Sequence, residues 1–315
     1  MLTVEVSRKA AVAAGVYLFE LQAIDGAPLP AYAAGAHIDV EIRPGLTRQY
    51  SLCGPTDRPD AYHIAVLREP ASRGGSIAMA ETIRQGDRLR IGAPRNLFAL
   101  APDQTAARLV AGGIGITPIL AMARELTDRG VPFKLWYGGR SRSSMAFHGD
   151  ILGGPFSAQA TLHADDEASA GLDLAAALEA PQPGEHLYVC GPAGLIAATL
   201  SMAASAGWPE GSAHRESFAS TAPNDGDAAF TLVLAKSGLR LEVPADRTAL
   251  EVLVENGVEI DSSCEQGVCG TCMTGVLAGE PDHRDQYLTD DEKAANSCFT
   301  PCCSRARSSE LVLDL

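Results

Sequence analysis

The stretch Cys264-Glu-Gln-Gly-Val-Cys269-Gly-Thr-Cys272 places three cysteines within nine residues in the last third of the chain. This C-x4-C-x2-C spacing is typical of a plant-type [2Fe–2S] cluster, which takes four thiolates. The glycines within it let the backbone curl so that its N–H groups face the sulfur atoms. Structural zinc is the alternative, although zinc favours two C-x2-C pairs or mixtures of cysteine and histidine. The candidates for a fourth ligand lie further along the chain: Cys298, Cys302 and Cys303.

Length and composition indicate a globular protein of two or three domains. The chain has 315 residues, of which 46% are hydrophobic and 20% charged. No segment approaches the ~20 uncharged apolar residues of a membrane span, so no membrane partner is expected. The eight cysteines do not form the pattern of a disulfide framework, and the start of the chain lacks the apolar core of a signal peptide. These features predict a cytoplasmic protein.

The formal net charge of −14 argues against nucleic acid as a partner, because phosphates require basic surfaces. The charge is concentrated in residues 224–315, which contain 17 acidic and 7 basic residues, a net −10. Such a surface can steer a basic protein partner toward the predicted cluster. The alternative is that the acidity serves only solubility.

Three domains are predicted along the chain. Residues 1–103 contain short alternating runs such as His37–Ile42 between Gly and Pro turns, which predicts an antiparallel β-barrel. Residues 104–222 alternate strands with helices, which predicts a parallel α/β sheet. Residues 223–315 combine a hairpin, a helix and the cysteine loop, an α+β arrangement. Residues 223–229 complete a small, polar linker that starts at residue 219.

Two Gly-rich turns follow strands of the α/β segment. Gly112-Gly-Ile-Gly-Ile-Thr-Pro118 leads into a helix expected over Ile119–Arg129, and Cys190-Gly-Pro-Ala-Gly194 follows a later strand. Turns of this kind let a pyrophosphate approach a helix N-terminus at the carboxyl ends of parallel strands. The first turn departs from the dinucleotide fingerprint because Pro118 stands where its last Gly is expected. A purely structural turn is therefore the alternative.

A third group of motifs lies in the β segment. Arg48-Gln-Tyr50-Ser51 brings a cation, an aromatic ring and hydroxyls to one strand, a set that suits a flavin ring and its phosphate. Gly74-Gly-Ser76 offers unhindered N–H groups to a phosphate. Taken singly, each motif is also compatible with an ordinary strand or turn.

The order of these motifs resembles that of the phthalate dioxygenase reductase and vanillate demethylase reductase family. The endings Asp282-His-Arg-Asp285 and Cys302-Cys-Ser-Arg-Ala306 are similar too, so the resemblance covers essentially the whole chain. It implies an FMN-binding β-barrel, a NAD-binding α/β domain and a β-grasp ferredoxin domain. The implied function is that of an oxygenase reductase, which takes hydride from NAD(P)H onto FMN and passes single electrons through a [2Fe–2S] cluster. A Rieske-type oxygenase is the expected partner.

The resemblance also assigns roles to individual residues. Those implied for FMN are Arg48, Tyr50, Ser51, Gly74, Gly75, Ser76 and the covering aromatic Phe218. Those implied for the nicotinamide nucleotide are Gly113, Gly115, Cys190, Gly191 and Pro192, and Thr117 is implied to lie near the reactive edge of the flavin. The implied cluster ligands are Cys264, Cys269, Cys272 and Cys302, the last because Ser304-Arg-Ala306 follows it.

Electron counting indicates what the side chains do. Nicotinamide gives two electrons as hydride and the cluster takes one, so the flavin must stand between them. Thr117 and Cys190 are therefore expected to position and polarise the reactants. NADH is favoured over NADPH, although Arg140 and Arg142 follow a strand end where arginine can grip a 2′-phosphate.

Two alternative functions stay open at this point. A reductase of the same build can serve a di-iron or haem acceptor. A protein of a different class, a non-enzymatic interaction protein with zinc on the cysteines and a decayed nucleotide domain, is the second alternative.

Overall fold

The structure is a computed structural model that describes residues 1–44, 46–56, 60–70, 74–167, 171–218, 226–262, 265, 267, 269–285 and 287–315. The chain forms two compact units, Met1–Phe218 and Ala219–Leu315. Across the described ranges, we find no helix with the length and apolar character needed to span a bilayer.

Seven strands of the first unit form an antiparallel sheet in the order β4-β3-β6-β1-β2-β5, with β7 paired to β3. A bridge between Leu52, directly after β4, and Ile64 within β5 links the two edge strands, so the sheet curls toward the predicted barrel. The elements are β1 (Leu2–Ala13), β2 (Val16–Ala23), β3 (Ala36–Arg43), β4 (Leu46–Ser51), β5 (Tyr62–Leu67), α1 (Gly75–Glu81), β6 (Arg88–Ile91) and β7 (Arg95–Asn96).

The rest of the first unit is a five-stranded parallel sheet in the order β10-β9-β8-β11-β12, flanked by helices. This confirms the predicted α/β arrangement. Its elements are β8 (Ala106–Gly112), α2 (Ile116–Asp128), β9 (Phe133–Gly139), α3 (His148–Gly153), β10 (Ala160–Ala164), α4 (Leu174–Ala177), β11 (Glu185–Cys190), α5 (Ala193–Ser205) and β12 (Ala213–Glu216).

Helix α2 joins the two sheets of the first unit. It starts three residues earlier than the sequence predicts, at Ile116, so Pro118 lies in its first turn, where its missing N–H costs nothing. Nine of its residues are buried. Seven of the nine belong to one hydrophobic cluster with Val16 and Leu18 of the antiparallel sheet and Leu109 of the parallel sheet. The barrel and the α/β layer therefore share a core.

The second unit is an α+β fold. Its sheet has the order β14-β13-β19-β15-β17, with β13 and β19 parallel, and β16 and β18 form a small separate pair. The elements are β13 (Phe230–Leu234), β14 (Arg240–Val243), α6 (Ala249–Glu255), β15 (Thr274–Ala278), β16 (Pro281–Asp282), α7 (Asp290–Ala295), β17 (Cys298–Phe299), β18 (Arg305–Ala306) and β19 (Glu310–Leu313).

A capping box fixes the start of α6. Thr248 accepts from the Glu251 backbone, and the Glu251 side chain accepts from the Thr248 backbone. The helix buries Leu253 against Phe230 and Leu311 of the sheet. This packing confirms the predicted hairpin and helix that precede the cysteine loop.

Part of the predicted linker lies outside the described residues, namely 219–225. Its described end is attached to the second unit. Both carboxylate oxygens of Asp227 accept from the Arg284 guanidinium, at 2.8 and 2.6 Å. The carbonyl of Ala228 accepts from Arg305 at 3.1 Å.

Candidate cofactor sites

The two Gly-rich turns of the α/β sheet touch each other. Strands β8 and β11 are parallel neighbours, with Ala111 opposite Cys190. A Cβ added at Gly115 would lie 2.3 Å from the Cys190 carbonyl oxygen, and one at Gly191 would lie 3.0 Å from the Gly112 Cα. Only glycine permits this approach. The turns predicted to bind the nucleotide thus form one surface at the carboxyl edge of the sheet, as open α/β sheets require.

Thr117 lies beside this edge, in the first turn of α2, and is almost completely buried. Its hydroxyl donates to the Ile114 carbonyl at 3.0 Å. A hydroxyl has a single hydrogen, so only acceptor lone pairs remain. Gly113 has φ +54° with open space around it, and its role is to turn the chain.

The two motifs predicted for the flavin lie side by side in the barrel. A Cβ added at Gly75 would lie 2.7 Å from the Arg48 Cγ, so the arginine of β4 packs directly on the turn that starts α1. Gly74 has φ +87°, a conformation that favours glycine. The Ser76 hydroxyl accepts from the Glu69 backbone at 3.1 Å. A cation, backbone N–H groups and a hydroxyl therefore meet at one place.

A buried polar group lies where β4 meets the parallel sheet. Glu216 on β12 is the register partner of Cys190 on β11, and its carboxyl lies near the Ser51 hydroxyl at the end of β4. Burial raises the pKa of Glu216 to about 8, and the contact with Ser51 lowers it only in part. Burial also raises the pKa of Cys190, with a smaller contribution from the Glu216 charge. Both groups are therefore protonated at neutral pH.

Sequence reasoning missed Glu216. In the sequence, Glu216 can be seen only as an acidic residue in Glu216-Ser-Phe218, at the end of the last parallel strand. The residues that lie near it in the structure, Ser51 and Cys190, come from distant parts of the chain. Phe218 itself is half-buried against the core that the two sheets share.

The polar groups of Tyr50 and Glu216 could bind a polar ring compound. The Tyr50 hydroxyl and the Glu216 Oε2 are buried but have no hydrogen-bond partner within the described ranges. Burial raises the pKa of Tyr50, opposed in part by Arg48, so its hydroxyl stays protonated. Buried polar atoms rarely lack partners, and a flavin ring carries the donors and acceptors that satisfy such atoms.

The arginines predicted to choose between the two nucleotides follow β9. Arg142 grips the exposed Glu167 with two hydrogen bonds, Nη2 to Oε2 at 2.6 Å and Nε to Oε1 at 3.2 Å. This contact lowers the pKa of Glu167. Arg140 accepts from the Asp166 backbone through its carbonyl at 3.2 Å. Arg142 is thus already paired with an anion of the same chain.

The cysteine region lies in the second unit, and Cys264 is outside the described residues. Cys272 and Cys302 are each 3% exposed and pack together with Cys303 and Leu250. Cys269 is half-buried. In the described part of this unit, no three His, Cys, Asp or Glu side chains converge on a single metal position. A [2Fe–2S] cluster does not need such a set, because each iron takes two thiolates.

Three described residues of the cysteine loop have a left-handed backbone conformation. Glu265, Gly267 and Gly270 all have positive φ, at 52°, 72° and 70°. Where left-handed residues alternate with right-handed ones, backbone N–H groups can point to one side and favour an anion. Buried thiols beside such a loop fit an iron–sulfur cluster.

Cys298 and Cys303, near the end of the chain, are not among the predicted cluster ligands. Cys298 is half-buried. The Cys303 sulfur lies 3.1 Å from the Thr300 Oγ1. The choice of Cys302 as the fourth ligand remains a prediction.

Comparison with known proteins identifies the second unit first. A family described as "2Fe-2S iron-sulfur cluster binding domain" matches residues 232–307. The vanillate O-demethylase oxidoreductase of Pseudomonas putida is 48% identical over 300 residues, 94% of each chain. This chain belongs to the family of oxygenase reductases that includes that protein. It is an oxidoreductase, the electron-transfer component of an oxygenase system, and it carries a [2Fe–2S] domain, which argues against the zinc alternative.

Solved structures agree with this assignment. Phthalate dioxygenase reductase, described as "a modular structure for electron transfer from pyridine nucleotides to [2Fe-2S]", has a TM-score of 0.82 and 39% identity, covering 100% of this chain and 98% of its own. An intact type IV self-sufficient cytochrome P450 monooxygenase has a TM-score of 0.77 and 39% identity, and the match covers 100% of this chain but 41% of that one.

Proposed function

We propose that this oxygenase reductase oxidises NADH, holds FMN on the barrel, and delivers single electrons to a separate Rieske-type oxygenase. The pairing of Glu216 with Cys190 on neighbouring strands, near the Ser51 hydroxyl at the end of β4, carries the proposal, because it brings the predicted flavin strand to the predicted nucleotide edge. When bound, a flavin accepts two electrons together and releases them singly to a cluster that takes one at a time.

The protein's part is to bind and orient. Arg48 and the backbone of Gly74 and Gly75 grip the FMN phosphate as a cation and N–H donors. The buried hydroxyl of Tyr50 donates to the ring. Phe218 covers the ring and excludes water from it.

The nucleotide edge positions nicotinamide against the flavin. Gly113, Gly115 and Gly191, with the ring of Pro192 beside them, shape a surface with little side-chain bulk, on which a pyrophosphate can lie. Thr117 offers an acceptor oxygen, since its hydrogen is engaged with Ile114.

Two side chains at this edge hold protons. Glu216, with its pKa near 8, carries one at neutral pH and can donate a hydrogen bond at this place. The raised pKa of Cys190 keeps its thiol protonated, which agrees with a positioning role without covalent chemistry.

NADH is the proposed donor. A 2′-phosphate would have to displace Glu167 from Arg142, which already holds it through two hydrogen bonds. The cluster ligands are proposed to be Cys264, Cys269, Cys272 and Cys302. Because NADH is a cellular reductant and the spacing of the eight cysteines is not that of a disulfide framework, we place the protein in the cytoplasm.

An anaerobic titration with NADH tests the proposal. The purified protein should contain iron, acid-labile sulfide and a flavin with the mass of FMN, and its visible absorption should bleach with NADH at lower concentration than with NADPH. A protein whose flavin is reduced while its iron stays oxidised would contradict the proposed electron path.

The acceptor is tested with purified components. An oxygenase of the vanillate O-demethylase class should turn over with this reductase, because the relative of that name is 48% identical. A haem acceptor is the second candidate, since a chain of the same build occurs within a P450 monooxygenase. Faster reduction of an isolated P450 haem domain than of the oxygenase would favour that candidate.

A further inference from the structure

Asp285 is a buried acid at the end of the Asp282-His-Arg-Asp285 motif, to which the proposed function assigns no role. It is 4% exposed. Its Oδ2 accepts from the Leu288 backbone at 2.7 Å and the Tyr287 backbone at 3.1 Å, and its Oδ1 accepts from the Ser304 hydroxyl at 3.4 Å. An ionised carboxylate can accept hydrogen bonds from all three of these donors.

Among the residues that the structure describes, no lysine or arginine forms an ion pair with this carboxylate. Within the described ranges, the one basic side chain at ion-pair distance is His283, whose Nδ1 lies 3.8 Å from Oδ1. Its Nε2 lies 3.3 Å from the Asn296 amide oxygen. The Lys293 ammonium binds the Asp285 backbone carbonyl at 2.8 Å and makes no ion pair with its carboxylate.

Asp285 lies against the cysteine loop. A Cβ added at Gly267 would lie 3.0 Å from the Asp285 Cα and 2.4 Å from the Cys303 sulfur, so loop, acid and thiol meet at this glycine. The Ser304 hydroxyl lies 3.0 Å from the Thr300 hydroxyl, which lies 3.1 Å from the Cys303 sulfur. Cys303 is next to Cys302 in the sequence. All of these side chains are buried.

We propose that Asp285 is a positioning residue that lowers the reduction potential of the cluster through its fixed negative charge. The proposal rests on the cluster being held by the cysteine loop. Adding an electron adds negative charge, and a buried anion nearby makes this less favourable. A lower potential makes the cluster a better donor to the oxygenase, so Asp285 promotes electron exit.

The variant Asp285→Asn removes the charge and keeps the shape. Asparagine retains an oxygen for the Leu288 and Tyr287 N–H groups. A unit charge roughly 10 Å from a redox centre, at an effective dielectric constant of about 20, changes the equilibrium constant for its reduction about tenfold. The midpoint potential, measured by EPR-monitored titration of the holoprotein, should therefore rise by about 59 mV for this one-electron couple.

Asp282→Asn is the matched control. It lies in the same motif but is more exposed and bonded to Arg284 at 2.7 Å, so its removal should shift the potential much less. A shift in Asp285→Asn that is equal to the control, or negative, would overturn the proposal. Iron and sulfide content separate this result from a failure of the proposed function, because the wild-type protein must first contain the cluster.

Lys293→Gln keeps the proposal testable if Asp285→Asn does not assemble a cluster. It removes a half-exposed ammonium from beside Asp285, so the local charge becomes more negative and the potential should fall. An unchanged or raised potential in this variant, at full iron content, would count against the proposal.

Discussion

The nucleotide edge of the first unit and the cysteine loop of the second both depend on glycine, but for different physical reasons. At the edge, Gly115 lacks a positive φ and is required because a backbone carbonyl occupies the place of its Cβ. In the loop, Gly267 and Gly270 have positive φ and also face a thiol and a ring. At the nucleotide edge, glycine is required because another backbone group lies too close for a Cβ atom. In the cysteine loop, the positive φ is a second reason for glycine.

The largest expected effect is at the cysteine loop, where Cys272→Ser removes a proposed ligand. Changes around a metal centre already cost about 10–100-fold in affinity when they touch only outer partners, so loss of a ligand should cost at least about 100-fold in affinity and leave the purified protein with most of its iron missing. Reduction of the flavin by NADH should persist. Cys298→Ser is the control and should keep its iron, and a Cys272→Ser protein with full iron would exclude this cysteine as a ligand.

At the nucleotide edge, Gly115→Ala should slow flavin reduction by NADH roughly 100-fold, because a shift of about 1 Å in a reacting pair has effects of that size. Overpacking should also destabilise the first unit by about 1–3 kcal/mol. Stopped-flow absorbance and denaturant unfolding measure the two effects. Gly194→Ala belongs to the same edge but meets no atom within 4 Å, so it should behave like wild type. Equal rates for the two variants would disprove the close-approach argument.

Glu216 should make the stability of the first unit depend on pH. Its pKa is about 8 in the folded protein, against an ordinary value of 4.5 for the unfolded chain, so the folded state keeps a proton that the unfolded chain has lost. The stabilisation is complete below pH 4.5 and disappears as the pH rises through 8, a change of the order of 4 kcal/mol. Glu216→Gln should lack this slope in urea unfolding at about pH 5 and about pH 9, on either side of the folded pKa. The exposed Glu179→Gln should retain it, and identical slopes in both variants would refute the assignment.

The two glycine mechanisms can be separated at Gly270. Gly270→Ala meets the Tyr287 ring at 2.3 Å in addition to its positive φ. In the double variant with Tyr287→Ala the ring is gone, and we expect about 1–2 kcal/mol of destabilisation from the left-handed conformation to remain. Thermal unfolding of the second unit gives this remainder. Full recovery in the double variant would show that φ contributes nothing.

The smallest effect is expected at the exposed pair of Arg142 and Glu167. Glu167→Gln releases the guanidinium, so KM for NADPH should fall roughly two- to fivefold, in line with the small effects of surface ion pairs. KM for NADH should not change. Steady-state kinetics with an artificial electron acceptor measures both constants, and a parallel change in the two would exclude a 2′-phosphate effect.

Much of the fold could be predicted because its signals are local. The strand and turn runs of the barrel, the change of period near residue 104 and the hairpin and helix before the cysteine loop each depend on neighbouring residues. The predicted start of α2 at Ile119 was three residues too late, because the helix already includes Ile116 and Thr117, which belong to the Gly-rich turn motif in the sequence.

The sequence alone determined that cysteines 264, 269 and 272 can approach one another, because loop spacing limits how far the chain can separate them. Only the tertiary structure brought Ser51, Cys190 and Glu216 together, since these residues are up to 165 positions apart and meet through sheet order and register. The same holds for Asp285 against Gly267. Short-range geometry is encoded in spacing, whereas burial, charge and proton affinity depend on which distant segments pack together.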